Sequence, residues 1–547
     1  MPSVGNTGLL SKVGLVLETN AGEQLLLAAT TVASATSTTF NPSAVGMATT
    51  GGHVHYYVAG NTATGTITTN GTDPGGNSIN EVSGTIPVAP QNLPGYSEYT
   101  TKKAFKTVTS VAYGGAGLTN AMITIYASQA AKFLAPIDCV AKEDLPPFSP
   151  KDHRGIAFKN IRIQQLDKFV KIDKFDGSLY PNSLWFPYTC VSNNPVITTS
   201  HTATSLKTAT AVSGAPYTLT SQPSAPGQFL IFTTSGNLVS GSITITGAAV
   251  DNNGVAGGET ITIPASDGTF YSTKRYSSIA ASGITVSGMT AAATIAITGV
   301  FSWDYAFTND GQNINLYSAM LEWFNGTSGI CLPYSIFSDA SLDWQKDKEL
   351  MITAKGEAQD FLTVGDVAAT TMGTNPFTTL SQPGDLPMVG WPGTFYIDSL
   401  PSGTPFTTQF NDFLTFKIAL STAQKGYHTG DGAQRWSRAT RDTGKPPELN
   451  WDATVDFQNH LQYQNFKKNQ ALVFGAQFFG SFLGSLSAVN YYEYWQFTLP
   501  SRYVAYDVDP SKDKVEANVK GECVYSETLG YAYKLVVRAQ VPPTYTS

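Results

Sequence analysis

The sequence predicts a mainly β protein made of several domains. Its 547 residues exceed the roughly 300 at which a single hydrophobic core stops growing. Charged residues make up 13% of the chain, against roughly 25% in ordinary soluble domains, and Gly, Ser, Thr, Ala and Asn fill long stretches. Short alternating β-branched runs are separated by turns such as Asp251-Asn-Asn-Gly254, a pattern typical of antiparallel sheets.

Composition also limits the functions to expect. The net charge of −7 leaves no excess of positive charge to neutralise phosphates, so tight nucleic-acid binding is not expected. The beginning of the chain shows no secretion signal, and no run of about 20 apolar residues predicts a membrane segment. The cysteines are far apart and form no CxxC pair, so we interpret them as buried free thiols: Cys139, Cys190, Cys331 and Cys523.

Two stretches of about eighty residues share strand-like segments in one order. The matches are Gly65 to Gly71 with Gly241 to Gly247, Gly84 to Val88 with Glu259 to Pro264, Thr101 to Val108 with Ser272 to Ile279, and Met122 to Tyr126 with Thr294 to Thr298. The alternative is a low-complexity linker, which has no need to keep four segments in order. The repeat predicts two immunoglobulin-like β-sandwiches, at residues 48–127 and 215–300.

A second repeat relates the middle of the chain to its end. The motifs Leu-Pro, Lys-Asp-Lys and Lys-Gly-Glu follow one another from Leu332 to Glu357 and again from Leu499 to Glu522, at spacings that agree within one residue. Apolar and polar residues alternate between the motifs, as in half-buried hairpins. The alternative is a common hairpin without a duplicated domain. A duplication predicts two domains of one kind, the first discontinuous (1–47, 128–214 and 301–384) and the second at 385–547.

The region from about Asp412 to Val541 resembles a known family in the order of its segments. These are a strand from Leu414 to Ser421, a polar loop from Thr422 to Lys445, a strand from Glu448 to Phe457, an apolar stretch from Leu472 to Phe479, a strand at Leu499-Pro500 and a final strand from Ala532 to Val541. In this order they look like the C-terminal half of the major tail tube protein of long non-contractile-tailed phages. Val13 to Thr19 is similar to the opening strand of such proteins.

The resemblance implies two tail-tube-type β-sheet domains whose strands continue into neighbouring subunits and close a barrel around a channel. It implies a virion structural protein, assembled in the host cytoplasm, that polymerises as stacked rings into the tail tube through which DNA passes. Rings in this family hold six tube domains, so a chain with two such domains implies a homotrimer with pseudo-sixfold symmetry. The partners implied are further copies of the chain and other tail proteins at the tube ends. The immunoglobulin-like domains would decorate the outside, where host surface glycans are conceivable ligands.

One strand carries candidate channel-lining residues. From Leu449 to Phe457 one face is apolar, and the other carries Asn450, Asp452, Thr454 and Asp456. A negative wall repels DNA phosphates, so DNA would pass without sticking. The alternative is that this face meets outer solvent or an adjacent helix.

A long polar loop is the candidate contact between rings. It runs from Thr422 to Lys445, and the residues chosen for the contact are Tyr427, His428, Arg435, Trp436 and Arg438. A loop of this length without secondary structure is uncommon unless it is functional or disordered. Disorder is the alternative.

No motif for catalysis or cofactor binding is found, so we expect a non-enzymatic protein without a cofactor. GxSxG, GxxxxGK[ST] and HExxH are missing, and His53 and His55 alternate along a probable strand without a third metal ligand at useful spacing. Two rival classes remain. A capsid or decoration protein is expected to carry a long charged helix and an extended arm, and the sequence shows neither. A surface adhesin is expected to carry a secretion signal, which is not found.

Overall fold

The described part of the chain is mainly β-strand, as the composition predicts. The computed structural model describes residues 12–18, 23–31, 38–40, 54–59, 64–72, 78–83, 96–101, 105, 107–114, 118, 121–128, 132–134, 137–144, 169–192, 194–198, 204–212, 217–224, 227–249, 258–310, 316–324, 329–358, 362–363, 386–390, 393–400, 405–427, 438–441, 447–457, 460–486, 489–509 and 515–543.

The strands are β1 (Lys12–Glu18), β2 (Glu23–Thr31), β3 (Thr38–Phe40), β4 (Val54–Ala59), β5 (Thr66–Thr72), β6 (Ser78–Val82), β7 (Tyr96–Thr100), β8 (Thr107–Gly114), β9 (Met122–Ser128), β10 (Lys132–Leu134), β11 (Ile137–Asp144), β12 (Phe169–Ser178), β13 (Val196–Thr198), β14 (Thr204–Ala211), β15 (Gln228–Ser235), β16 (Gly241–Ala249), β17 (Glu259–Ile263), β18 (Gly268–Ser287), β19 (Thr294–Val300), β20 (Trp303–Asn309), β21 (Ser318–Phe324), β22 (Gly329–Gln345), β23 (Met351–Ala358), β24 (Leu362–Thr363), β25 (Thr394–Ser399), β26 (Phe413–Ser421), β27 (Gln424–Tyr427), β28 (Arg438–Arg441), β29 (Glu448–Asp456), β30 (Leu472–Leu486), β31 (Val489–Asp509), β32 (Glu516–Cys523) and β33 (Tyr533–Ala539). Two short helices are described, α1 (Trp185–Cys190) and α2 (Leu461–Lys467).

Six strands and one helix occur twice, in the same chain order and with the same neighbours. In the first unit, β1 pairs with β21, β21 with β22, β22 with β23, β23 with β12 and β12 with β11, and α1 follows β12. In the second unit, β25 pairs with β30, β30 with β31, β31 with β32, β32 with β29 and β29 with β26, and α2 follows β29. All of these pairings are antiparallel. The chain therefore contains two copies of one strand arrangement.

The Lys-Gly-Glu motif lies at the same irregularity in both units. Gly356 pairs with Phe337, and one residue of β22 is then skipped before the next pair. Gly521 pairs with Tyr503, and one residue of β31 is likewise skipped. A bulge of this kind bends a strand and increases its twist. Glycine is required at both places, because a Cβ atom would lie 1.8 Å from a backbone oxygen at Gly356 and 2.1 Å from the ring of Trp451 at Gly521.

Both units contribute to one hydrophobic core. Buried and exposed residues alternate along strands such as β23 and β29, so one face of the sheet packs inward and the other is polar. Aromatic rings fill much of the core, and Trp451 stacks on Phe474 with ring centroids 4.9 Å apart. Among the tryptophan and phenylalanine residues of this core are Phe175, Trp185, Phe186, Trp303, Phe337, Trp344, Phe416, Trp451, Phe474 and Trp495.

Two further strands, β33 and β20, extend the sheet beside the first half of β31. Strand β33 pairs with β31 and with β20, and β20 also pairs with β13. Asp304 on β20 lies opposite Arg538 on β33 and accepts a hydrogen bond of 2.8 Å from its Nε. Both side chains are nearly buried, so each charge depends on the other for compensation.

The first insert module, residues 23–128, has two four-stranded sheets. Their strand orders are β2-β9-β4-β7 and β3-β8-β5-β6. Residues of both sheets form one core that is separate from the core of the two units, and it includes Tyr56, Ile67, Phe105, Val111 and Ile125.

The second insert module, residues 204–300, repeats this strand order except for β3, which has no counterpart among the described strands. Its sheet runs β14-β19-β15-β18-β16-β17, and the 20-residue strand β18 takes the places of both β7 and β8 because its first half pairs with β15 and its second half with β16. Even the irregularities agree. The register of β2 shifts after Leu25 and after Leu27, and that of β14 shifts after Ser205 and after Lys207, at the same intervals.

Each module is inserted in the chain between two strands that pair with each other. Strand β1 pairs with β10 around the first module, and β13 pairs with β20 around the second. The modules begin with β2 and β14, which lie before residues 48 and 215 in segments that the sequence analysis gives to the first tube domain. The second module also packs on the core of the units, because the rings of Phe229 and Trp303 are 5.0 Å apart.

Candidate assembly surface

Among the described strands, one pairing joins the two units. The second half of β22 pairs antiparallel with β26, from Asp339 opposite Ser421 to Gln345 opposite Thr415. We call this pairing the internal junction. It links the last strand of the run β11-β12-β23-β22 to the first strand of the run β26-β29-β32-β31, so eight strands form one continuous sheet.

Oppositely charged side chains alternate across the exposed face of this sheet. Asp343 lies opposite Lys417, Lys417 opposite Asp452, and Asp452 opposite Lys520, on four successive strands. The Nζ of Lys417 is 3.2 Å from a carboxylate oxygen of Asp343. The Nζ of Lys520 is 3.8 Å from a carboxylate oxygen of Asp452. We call these four residues the charge row, and it is close to electrically neutral.

The four residues predicted to line a channel share the exposed face of β29. Asn450 is exposed, while Asp452, Thr454 and Asp456 are partly exposed, and the residues between them are buried. Thr454 donates a hydrogen bond of 3.3 Å to Asn518 on the next strand. What sequence reasoning missed is that lysines flank Asp452. Their positions on neighbouring strands become adjacent only through the register, which no local pattern reveals.

Asp412 carries a second carboxyl group near this face, and Asp456 affects its pKa. The backbone N–H of Asp456 donates to the carbonyl oxygen of Asp412. Burial raises the pKa of Asp412, and the nearby charge of Asp456 raises it further.

Two parts of the long polar loop are described, residues 422–427 and 438–441. Strands β27 and β28 form a hairpin in which Tyr427 pairs with Arg438, so two of the five predicted inter-ring residues lie opposite each other. His428, Arg435 and Trp436 lie outside the described residues. The hairpin is held to the first unit where it begins, because the backbone N–H of Gly426 donates to a carboxylate oxygen of Glu357 at 3.2 Å.

At each edge of the eight-strand sheet, the outermost strand has a stretch that pairs with only one other strand among those described. Strand β11 pairs with β12 alone. Strand β31 pairs with β30 as far as Ser501 and with β33 as far as Thr498, and beyond these residues it pairs with β32 alone. An open strand edge presents unpaired N–H and C=O groups that can bind another strand.

The other chemical expectations concern cysteines, metals and membranes. Cys190 and Cys523 are free, and burial raises the pKa of Cys190 to about 12; the side chains of Cys139 and Cys331 lie outside the described part. Within the described ranges, no group of three or more His, Cys, Asp or Glu residues is placed to hold a metal ion. In the same ranges, no helix has the length and apolar character needed to cross a membrane.

Comparisons with known proteins do not assign a family. No family model matches the chain, and no curated protein matches it. Among solved structures it is similar to the crystal structure of PBSX exported protein XepA, with 12% identity over 52% of this chain and 88% of that one and a TM-score of 0.15. A TM-score this low does not establish a shared fold.

Proposed function

We propose that this chain is a non-enzymatic structural protein of a phage tail, which polymerises as stacked rings into a tube through which DNA passes. The observation that carries the proposal is the duplicated unit, with six strands and a helix in the same order, joined head to tail through the internal junction. A head-to-tail joint between like units can be repeated between chains, and repetition closes a ring when the rotation per unit allows it.

The open sheet edges support ring closure. One edge of each chain is β11 of the first unit, and the other is the part of β31 of the second unit that follows Ser501. Joining such edges around a ring removes them, as in a closed barrel. Because each chain supplies two units, three chains would form a ring with the six units that the resemblance implies.

The charge row supports passage of DNA without binding. In this proposal the exposed face of the sheet lines the channel, and Asn450, Asp452, Thr454 and Asp456 belong to that lining. The row pairs each lysine with an aspartate, so its two lysines do not form a cluster of positive charge that would hold phosphates through counterion release.

The insert modules are proposed to be immunoglobulin-like domains on the outside of the tube, at residues 23–128 and 204–300. Each starts and ends in adjacent positions, since Glu23 pairs with Ser128 and Thr204 with Gly299. Domains inserted with neighbouring termini leave the surrounding fold continuous.

Negative-stain microscopy of the purified protein tests the proposal. We expect hollow tubes with regular rings and knobs on the outer surface. Round shells would favour a capsid or decoration protein, and persistent monomers would favour an adhesin; either result contradicts the tail-tube function.

A further inference from the structure

We propose that the two open edges bind each other in neighbouring copies of this chain, with β31 of one copy antiparallel to β11 of the next, in the register that places Asp507 opposite Lys142. The inference rests on the proposed self-assembly and adds the surface, the partner strand and the register.

The internal junction provides the template. It pairs β22 of the first unit with β26 of the second. By order and neighbours, β31 is the equivalent of β22, and β11 is the equivalent of β26. A junction between β31 and β11 of the next copy therefore repeats, between chains, the contact that already exists within each chain.

The bulge glycines fix the register of that repeated junction. Phe337 on β22 and Tyr503 on β31 are equivalent because each pairs with a bulge glycine. Counting the same number of residues onward from each makes Leu342 on β22 equivalent to Val508 on β31. In the first unit, Gly356 pairs with Ile172, and Ile172 pairs with Ala141 on β11. In the second unit, Gly521 pairs with Trp451, and Trp451 pairs with Ile418 on β26. Ala141 and Ile418 are therefore equivalent. Leu342 pairs with Ile418 within the chain, so Val508 pairs with Ala141 of the next copy.

The transferred register brings opposite charges together. One position along from Val508 and Ala141, the pair is Asp507 with Lys142. Opposite charges facing each other across an antiparallel pair are favourable, and like charges there are not. Asp507 is exposed in the single chain and is available for such a pair.

The edge on β31 is held in place before any partner binds. Tyr503 donates a hydrogen bond of 2.8 Å from its hydroxyl to Gln462 of α2. The ring of Tyr506 packs on Phe466 of the same helix, with centroids 6.2 Å apart. A fixed edge loses little conformational entropy when a strand is added.

Disulfide trapping tests the register. Asp507→Cys and Lys142→Cys in one chain should form interchain disulfides on oxidation and give covalently closed rings of three chains. The control pairs Asp507→Cys with Val140→Cys, two residues off register, and should trap at least tenfold less. Single-cysteine variants report any contribution of the natural cysteines.

Charge exchange tests the same pair without cysteine chemistry. Asp507→Lys should weaken ring formation, so that rings require a severalfold higher protein concentration, while circular dichroism shows the native β spectrum, and Asp507→Lys with Lys142→Asp should restore it. If the unmodified protein forms rings but the 507–142 pair traps no better than the control, the register is overturned and the tube function stands. If the unmodified protein forms no rings, the proposed function itself fails.

Discussion

Lys417 and Asp343 form an ion pair across the internal junction, with 3.2 Å between the lysine Nζ and a carboxylate oxygen. The two residues belong to different units of the duplication, and the pair lies at one end of the charge row. It therefore marks the place where one structural unit recognises the next.

Reversing the charge of Lys417 should weaken the internal junction. Lys417→Glu would place a third carboxylate between those of Asp343 and Asp452, and we expect the free energy of unfolding to fall by about 1 kcal/mol at low salt. The loss should shrink at high salt because these groups are exposed. Urea unfolding measures it, with Lys425→Glu, an exposed lysine of β27, as the control. Equal losses in both variants would contradict a specific role for Lys417.

Adding one methyl group at the second bulge should destabilise the second unit. A Cβ on Gly521 would lie 2.1 Å from Trp451, and overpacking of this kind costs roughly 1–3 kcal/mol. We expect Gly521→Ala to lower the midpoint of thermal unfolding, whereas Asn518→Ala, at an exposed position of the same strand, should change it little. An unchanged midpoint in Gly521→Ala would show that the bulge relaxes freely.

The two insert modules should differ in how readily they can be removed. Replacing residues 23–128 by a short Gly/Ser linker should leave tubes of unchanged inner diameter, because the core of that module is separate. Replacing residues 204–300 removes the ring of Phe229 that packs against Trp303. The free energy of unfolding of the remaining chain should fall by about 2–5 kcal/mol, as for other large core deletions. Calorimetry and microscopy of the two deletions provide the comparison. Loss of all polymer in the first deletion would contradict the proposed module boundaries.

Stability should fall steeply in alkali. Burial raises the pKa of Tyr494 and Tyr506 to about 12, from an ordinary value of 10.0. Since the folded pKa is the higher one, the stabilisation is fully present below pH 10 and is lost as the pH rises from 10 towards 12. Urea unfolding along this range measures the loss. In the variant with both tyrosines changed to phenylalanine the decline should be shallower, and an identical decline would contradict the assignment.

Strand alternation and the Lys-Gly-Glu repeat could be predicted from sequence because both are local. Leu449 to Phe457 alternates clearly, and its burial follows the alternation. Strand β14, which precedes the predicted start of the second module, gives a weak sequence signal because it is rich in Thr and Ala and buries only Leu206. The partners of Asp452 were missed because Lys417 and Lys520 reach it through register between strands distant in sequence.

The number of chains in one assembled ring tests the central claim most directly. The duplicated units predict three chains per ring, with threefold symmetry outside and pseudo-sixfold symmetry around the channel. A cross-section of the polymer by electron cryomicroscopy, together with native mass spectrometry of released rings, gives that number. Three chains would agree with two tube units per chain, and six chains per ring would contradict it.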